Sequence, residues 1–238
     1  MGFIADIRFI DNVQLHKPLI NVDKVKKNRA KFLTKTELKE LLGLLNAINP
    51  HVAMICEFQS LTGLQFGELA ALRTQDYDKE NKVIDINSTL TTRGSFADDA
   101  MRLSPKNAYS IRKVSLDAHA DKIINYFILD NKARRLWKGN VAKNDYIFVT
   151  DGGLPYDLHF VNKIIKRIGF HKPVSTHTFR HTHFSLLAEA NTPLKAIMEH
   201  VVHNEPRTPL AIYTHVTDEM EKEISNLINS IGQSVSTK

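Results

Sequence analysis

The segment of the chain with the clearest chemical potential is residues 177–184, which read HTFRHTHF. Three histidines and an arginine fall within these eight positions. Such a cluster is compatible with a metal site built from imidazole nitrogens, with a phosphate site built from cationic donors, or with the solvated face of an amphipathic helix. The three interpretations predict different partner residues elsewhere in the chain.

The zinc interpretation needs more ligands than the segment supplies. His177 and His181 are four residues apart, so they share one face of a helix and suit two zinc ligands. His183 lies on a different face. The chain has no H-E-x-x-H motif and no Cys/His ligand set, and EHVVH at 199–203 has the wrong spacing. We therefore expect no metal site, while the solvated helix face remains open.

A phosphate site needs less from the sequence. His177 and Arg180 are three residues apart near the start of a predicted helix, so both project toward the same side. Arginine offers a planar fork of donors to phosphate oxygens, and histidine adds a donor or a proton. A helix N-terminus adds positive potential. Chemistry on the phosphate would further require a nucleophile and an acid for the leaving oxygen.

The spacing of this segment and the residues after it resembles a known family. The stretch HTFRHTHFSLLAEANTPLKAIMEHVVHNEPRTPLAIYTHV resembles the catalytic core of the tyrosine recombinases, or phage integrases. That family shows H-x-[LF]-R-H-T, then a further histidine, then a tyrosine ten residues later. His177, Arg180, His203 and Tyr213 occupy these four positions.

Two upstream segments extend the resemblance over about residues 30–230. LTGLQFGELAAL resembles the T-G-L-R-x-x-E-L box of the family, with Glu68 at its acidic position. SPKNAYSIRKVSL resembles the hairpin that carries the catalytic lysine, which places that role on Lys106. Five short motifs in the expected order are far more specific than any one of them.

The resemblance implies that DNA is cut and rejoined without a metal ion or cofactor. Tyr213 would attack the scissile phosphate and form a 3′-phosphotyrosyl link, leaving a free 5′-hydroxyl whose attack reverses the step. The other implied roles are charge stabilisation by Arg180 and His177, protonation of the leaving oxygen by Lys106, a further donor in His203, and support of neighbouring groups by Glu68. The resemblance gives no role to His181 or His183, which we expect to be structural.

Three residues depart from the family pattern. Gln65 stands where the family carries the first of two phosphate-gripping arginines, and glutamine has neither the charge nor the guanidinium fork. Val202 replaces the usual glycine before His203, and Pro209 removes an amide donor in the short helix predicted before Tyr213. The alternative hypothesis is therefore a catalytically weakened or inactive integrase remnant that still binds DNA.

Composition and charge agree with a nucleic-acid partner. The net charge is +6 and the isoelectric point is about 9.3. Residues 24–35 contain six basic residues and no acidic ones, which indicates either a DNA-contacting linker or a solvated one. The predicted DNA-binding residues are Lys24, Lys26, Lys27, Arg29 and Lys31. Cys56 is alone in an apolar pattern, so it predicts a buried side chain, no internal disulfide and a reducing cytoplasm.

The hydrophobic pattern predicts a mainly α protein with a small antiparallel β-sheet (α+β). Thr34 and Glu37 form a predicted capping box, and Gly63 is a predicted helix end. Segments rich in β-branched residues between 83 and 116 predict the sheet, and YIFV at 146–149 predicts another strand. The terminal segment DEMEKEISNLINSI predicts a helix separate from the short one that carries Tyr213.

The expected organisation has three parts: a linker or extension at 1–30, a catalytic DNA breaking–rejoining domain at 31–232 and a flexible tail at 233–238. The resemblance implies a double-stranded DNA partner with attachment-type sites, a monomer in isolation and a tetramer on synapsed DNA. No segment of the sequence is apolar for long enough to span a bilayer. The apolar stripe of Ile224, Leu227, Ile228 and Ile231 would pack either on its own core or on a neighbouring protomer.

Overall fold

The structure, a computed structural model, describes residues 31–91, 102–104, 111–138, 145–201 and 207–235. Within these ranges it is mostly helical with little strand, which confirms the predicted class. The helices are α1 Lys35–Ile48, α2 Pro50–Thr62, α3 Phe66–Ala70, α4 Ala118–Lys138, α5 Leu158–Arg167, α6 Thr176–Glu189, α7 Leu194–Val201 and α8 Arg207–Val235. The strands are β1 Tyr77–Asp78, β2 Val83–Ile86, β3 Thr89–Leu90, β4 Arg102–Leu103 and β5 Arg112–Ser115.

The strands form two small antiparallel sheets. One has the order β1-β2-β5, with Ile84 opposite Val114, and the other pairs β3 with β4. The predicted sheet between 83 and 116 is thus confirmed. The predicted strand at 146–149 is wrong: Tyr146 and Val149 make only isolated bridges, and the Ile147 amide donates to the carbonyl of Leu72. Its side chains are buried, so its apolar pattern reflects core packing instead.

Helix α2 forms the centre of the main hydrophobic core. It begins after Asn49, whose side chain accepts from the Val52 amide, and it ends at Gly63. Its apolar residues point in all directions because α1 packs on one side and α6 on another. Cys56 is fully buried here, as predicted, and burial raises the pKa of its thiol.

The capping box at the start of α1 is present as predicted. The Thr34 amide donates to Glu37 Oε2 at 2.8 Å, and the Glu37 amide donates to Thr34 Oγ1 at 3.2 Å. Lys172 Nζ contacts the same carboxylate at 2.6 Å and also donates to the Phe32 carbonyl at 2.8 Å. The start of α1 is therefore tied to the segment that precedes α6.

A second hydrophobic cluster joins the C-terminal helices to α6. We call it the C-terminal cluster; its buried members are Phe32, Phe184, Ala188, Ile197, Ile212 and Val216. Residues from α6, α7 and α8 meet in it. Helix α8 is therefore held against the side of α6 that does not face α2.

Helix α8 differs from the sequence prediction. It is one continuous helix over Arg207–Val235 instead of two segments. Pro209 is its third residue, and amides in a first helical turn have no intrahelical acceptor. The amide donor that Pro209 removes therefore leaves no acceptor within α8 without a partner.

The exposed part of α8 bears on how its apolar stripe packs. Ile224, Leu227 and Ile228 are 57%, 61% and 61% exposed. More than half of the surface of each of these side chains is therefore exposed. In the described part of the chain, no helix combines the length and apolarity needed to cross a membrane.

The close approach of α3 to β3 generates a prediction about Gly67. A Cβ at this position would lie 2.5 Å from Thr89 Oγ1 and 2.8 Å from the Leu90 carbonyl oxygen. Because one of these neighbours is backbone, Gly67→Ala should lower the free energy of unfolding by about 1–3 kcal/mol, measured by urea denaturation.

Gly43 provides the matched control within α1. A Cβ there would meet no heavy atom within 4 Å. Gly43→Ala should therefore be neutral or stabilising by up to about 1 kcal/mol, because alanine favours the helix. Equal effects of the two substitutions would contradict the close α3–β3 contact.

Candidate active site

The histidine-rich segment forms the first half of α6 and is mostly buried. Ser175 precedes the helix and its amide donates to Thr178 Oγ1 at 3.1 Å, while the Thr176 amide donates to Asn162 Oδ1 at 2.9 Å. The buried side chains of this half are Thr176, Thr178, Phe179, Arg180, His181, Thr182 and His183. His177 is exposed. The interpretation of this segment as a solvated helix face is therefore wrong.

Arg180 is the most deeply buried cation of the site, with 1% of its surface exposed. Its Nη1 donates to the Gly63 carbonyl and lies 4.0 Å from Glu68 Oε2. Its guanidinium carbon lies 5.3 Å from the centre of the Phe184 ring. Burial lowers the pKa of Arg180 to about 10, against the opposing effect of Glu68, so the group stays protonated at neutral pH.

The T-G-L-x-x-x-E spacing follows from these contacts. Helix α2 ends at Gly63 in the left-handed region, with φ of 67°, and this turn leaves its carbonyl for Arg180. A Cβ at Gly63 would also lie 2.5 Å from the His183 ring. Helix α3 begins three residues later and brings Glu68 to the same guanidinium.

Glu68 is shared by several donors. Arg112 Nη1 donates to its Oε1 and Arg112 Nη2 to its Oε2, both at 3.0 Å. The backbone amide of Gln65 also donates to Glu68 Oε2, at 2.9 Å. The sequence predicted that Glu68 would hold neighbouring groups but missed Arg112. The signal was the alternation along β5, where Arg112 shares a face with the buried Val114.

The three histidines of the segment, His177, His181 and His183, have different surroundings. The His177 and His181 rings are 4.7 Å apart between centroids, nearly perpendicular. Although His177 keeps an exposed side, partial burial of its ring lowers its pKa, and the charge of Arg180 lowers the pKa further. His183 is buried, with Nδ1 2.9 Å from the Ser60 carbonyl, and its ring stacks on that of His200 in α7. Among the described residues, no three His, Cys, Asp or Glu side chains are grouped as a metal site requires.

Tyr213 lies in the second turn of α8 and is partly buried. Its side chain packs against the C-terminal cluster, which also contains Phe184 of α6. The helices that carry Tyr213 and Arg180 are therefore in direct contact.

The other residues singled out in the sequence lie only partly within the described ranges. Gln65 is exposed, immediately before α3. Six other residues singled out in the sequence lie outside the described residues: Lys24, Lys26, Lys27, Arg29, Lys106 and His203. Val202 does too, and Lys31 is half-buried at the edge of the described chain.

The shared carboxylate generates a stability prediction. Glu68→Gln removes the negative charge between two buried guanidinium groups, those of Arg112 and Arg180. Breaking a buried ion pair from one side costs about 3–5 kcal/mol, so the midpoint of urea denaturation should fall markedly.

Glu57→Gln is the matched control, because among the described residues Glu57 forms its ion pair with the exposed His119, in a surface contact at 2.9 Å. Its loss should cost less than about 1 kcal/mol. A Glu68→Gln variant as stable as the control would show that the two guanidinium groups do not depend on this carboxylate.

Comparisons with known proteins agree with this geometry. The sequence model of the phage integrase family matches residues 31–220. The integrase of Staphylococcus phage L54a is 33% identical over 236 residues, covering 93% of this chain and 67% of that protein. The prophage ps2 probable integrase of Lactococcus lactis is 34% identical, covering 95% of this chain and 63% of its own length. The chain thus spans about two thirds of these relatives.

Solved structures show the same fold. The Tn1549 transposon integrase in complex with a circular intermediate DNA aligns with a TM-score of 0.64 at 21% identity, over 80% of this chain and 65% of that one. The catalytic domain of bacteriophage HP1 integrase aligns with a TM-score of 0.50 at 14% identity, over 82% and 93%. The buried arginine of α6, the box that holds it and these similarities together establish that the chain belongs to the phage integrase family of tyrosine recombinases.

Proposed function

We propose that the chain is the catalytic portion of a site-specific DNA recombinase from a phage or mobile element. The observation that carries the proposal is the cationic centre around Arg180. Two guanidinium groups, Arg180 and Arg112, surround one carboxylate, Glu68, which leaves one net positive charge. A phosphodiester carries one negative charge and suits this centre.

The proposed chemistry is an in-line displacement at a DNA phosphate. The Tyr213 hydroxyl gives up its proton to solvent, and its oxygen forms a bond to phosphorus while the bond to the 5′-oxygen breaks. The 5′-oxygen leaves with a proton from Lys106. Arg180 and His177 stabilise the charge of the transition state, and His203 is a further donor. The reverse attack by a 5′-hydroxyl restores a phosphodiester, so the step needs no cofactor.

The proposed DNA surface includes a basic groove along α5. Lys163, Lys166 and Arg167 are exposed there, and His159, Asn162 and Ser175 complete the lining. Ser175 directly precedes the helix that carries His177 and Arg180. The groove therefore ends next to the start of that helix, and DNA phosphates next to the scissile one are its proposed occupants. Lys24, Lys26, Lys27, Arg29 and Lys31 are proposed to add contacts from the preceding linker.

We further propose a monomer in isolation and a tetramer on synapsed attachment-type sites. The apolar stripe of α8 supports this, because the side chains of Ile224 and Ile228 are more than half exposed and apolar. Activity on chromosomal and element DNA would place the chain in the bacterial cytoplasm. The proposed boundaries of the catalytic domain are residues 31–232.

A second candidate function is DNA binding without efficient cleavage. The observation that favours it is Gln65, whose neutral side chain is exposed beside the Glu68 carboxylate. If two phosphate-gripping arginines are required, this chain binds its site but transfers strands slowly. The exposure of Gln65 leaves room for an arginine at the same position.

Cleavage can be tested on a nicked duplex that carries the attachment sequence of the element encoding the chain. The nick lets the short fragment that carries the free 5′-hydroxyl diffuse away, so the phosphotyrosyl adduct cannot be reversed. The trapped adduct is measured by gel electrophoresis. Gln65→Arg should raise the adduct rate by about 10²-fold or more, as expected for a charged donor at a developing oxyanion. Tyr213→Phe in that background should abolish the adduct and leave DNA affinity nearly unchanged.

Gln65→Met is the matched control, because it changes the side chain without adding charge and should give no gain. Rapid cleavage by the unmodified chain would rule out the second candidate function. An adduct that survives Tyr213→Phe would contradict the assigned nucleophile. Binding without any adduct, in the unmodified chain and in Gln65→Arg, would favour the DNA-binding remnant.

The basic groove makes a separate prediction about binding. Lys163→Glu with Lys166→Glu should weaken duplex affinity and reduce the slope of log K against log salt by about 2, one for each phosphate that the protein no longer neutralises. Fluorescence anisotropy at several salt concentrations measures both quantities. Lys79→Glu with Lys132→Glu changes the same charge outside the groove. If both double variants lose affinity equally, net charge and not the groove determines binding.

A further inference from the structure

Arg112 is a buried arginine that belongs to the cationic centre but takes no part in the proposed bond-making and bond-breaking steps. It lies at the start of β5, opposite Ile86 of β2, and its side chain is only 8% exposed. Removing a guanidinium from water is costly unless its donors are paired. An arginine on the inward face of a small sheet therefore implies a specific partner.

That partner is the carboxylate that also serves the active centre. The two terminal nitrogens of Arg112 each donate to one oxygen of Glu68, at 3.0 Å. Such a fork fixes both the position and the plane of a carboxylate, which a lysine does not do. With its plane fixed, Glu68 Oε2 accepts from the Gln65 amide at 2.9 Å and lies 4.0 Å from Arg180 Nη1.

The positive charge of Arg112 also reaches groups on both sides of the site. After burial and the attraction of Glu68, Arg112 is a cause that lowers the pKa of Arg180. In α7, burial lowers the pKa of His200, and Arg112 is the next cause. The positive charge of Arg112 therefore acts on Arg180 in α6 and on His200 in α7. The neutral side chain of Gln65 supplies no such charge.

We propose that Arg112 is a positioning residue of the strand-transfer centre that locks Glu68 against Arg180 and supplies the second positive charge that Gln65 lacks. This inference rests on the proposed recombinase function. Arg112 acts through Glu68 and through its charge, without touching the DNA. Substitutions distinguish the charge of Arg112 from its two-point hydrogen bonding to Glu68. Arg112→Lys keeps the charge but loses the paired hydrogen bonds, and Arg112→Met loses both.

The charge contribution predicts coupling between positions 112 and 65. In the unmodified chain, Arg112→Met removes the second charge of the site, and the adduct rate should fall at least about 10-fold, as for the removal of one charged interaction. In the Gln65→Arg background a second guanidinium is already present, so the same substitution should cost several-fold less. Residues that share one network deviate from additivity in this way.

The experiment combines adduct formation with histidine titration in the full chain. Adduct rates are measured for Arg112→Met and Arg112→Lys, each with Gln65 and with Gln65→Arg. The pKa of the His200 ring is followed by NMR in the same proteins without DNA. Arg112→Met should raise the His200 pKa because a nearby positive charge is removed. Arg112→Lys should leave that pKa near its parent value while losing part of the rate with the fork.

Lys113→Met is the matched control on the same strand. Lys113 is 77% exposed on the opposite face and lies 3.9 Å from Asp85. It should change neither the adduct rate nor the titration of His200. If Arg112→Met fails to fold, Arg112→Lys still tests the inference, because full activity of that variant would contradict the positioning role of the fork.

The outcomes separate this inference from the function on which it rests. An unchanged His200 pKa in Arg112→Met, or equal rate losses in the two Gln65 backgrounds, overturns the charge role of Arg112. Absence of adduct from every variant, Gln65→Arg included, overturns the proposed function. In that case the His200 titration alone decides whether Arg112 provides charge at the centre.

Discussion

Burial of the Arg180 guanidinium is the constraint on which the rest of the site depends. Taking an ion of this size out of water costs several kcal/mol even after the protein relaxes. The chain offsets that cost with a carbonyl from the end of α2, a carboxylate from α3 and the face of Phe184. Each of these partners requires a local structure of its own, so the arginine determines much of its surroundings.

These local structures explain why the functional residues lie on different elements. Gly63 adopts its left-handed conformation and leaves no room for a Cβ beside His183. Glu68 binds back to the Gln65 amide at the start of α3, and Arg112 holds the same carboxylate from β5. On its other side, α6 packs through the C-terminal cluster against α8, which carries Tyr213. Helix α6 is thus in contact both with the helix of the proposed nucleophile and with the elements that form the proposed phosphate-binding centre.

Much of this arrangement could be predicted from local sequence signals. The capping box of Thr34 and Glu37, the helix end at Gly63 and the β-branched segments depend on neighbours in the chain, and the structure confirms them. The pairing of Arg112 with Glu68 spans 44 positions, so no local periodicity indicates it beyond the inward position of Arg112 on β5. The bridges of Tyr146 and Val149 were missed because tertiary contacts with Arg73 and Pro155 decide them. The catalytic roles remain predictions from the family pattern, for Tyr213, Arg180 and His177 as well as for Lys106 and His203.

The most direct test of the account is binding of inorganic phosphate to the DNA-free chain, at constant pH and ionic strength. The NMR chemical shifts of the His177 ring monitor this binding, because the charge of Arg180 acts on His177 at the start of α6. The comparison is with Arg180→Met, which leaves Glu68 paired with Arg112 and so avoids an isolated buried charge. The account predicts a saturable phosphate-dependent shift in the unmodified chain and its loss in Arg180→Met. The same titration curve in both proteins, or no shift in either, would contradict it.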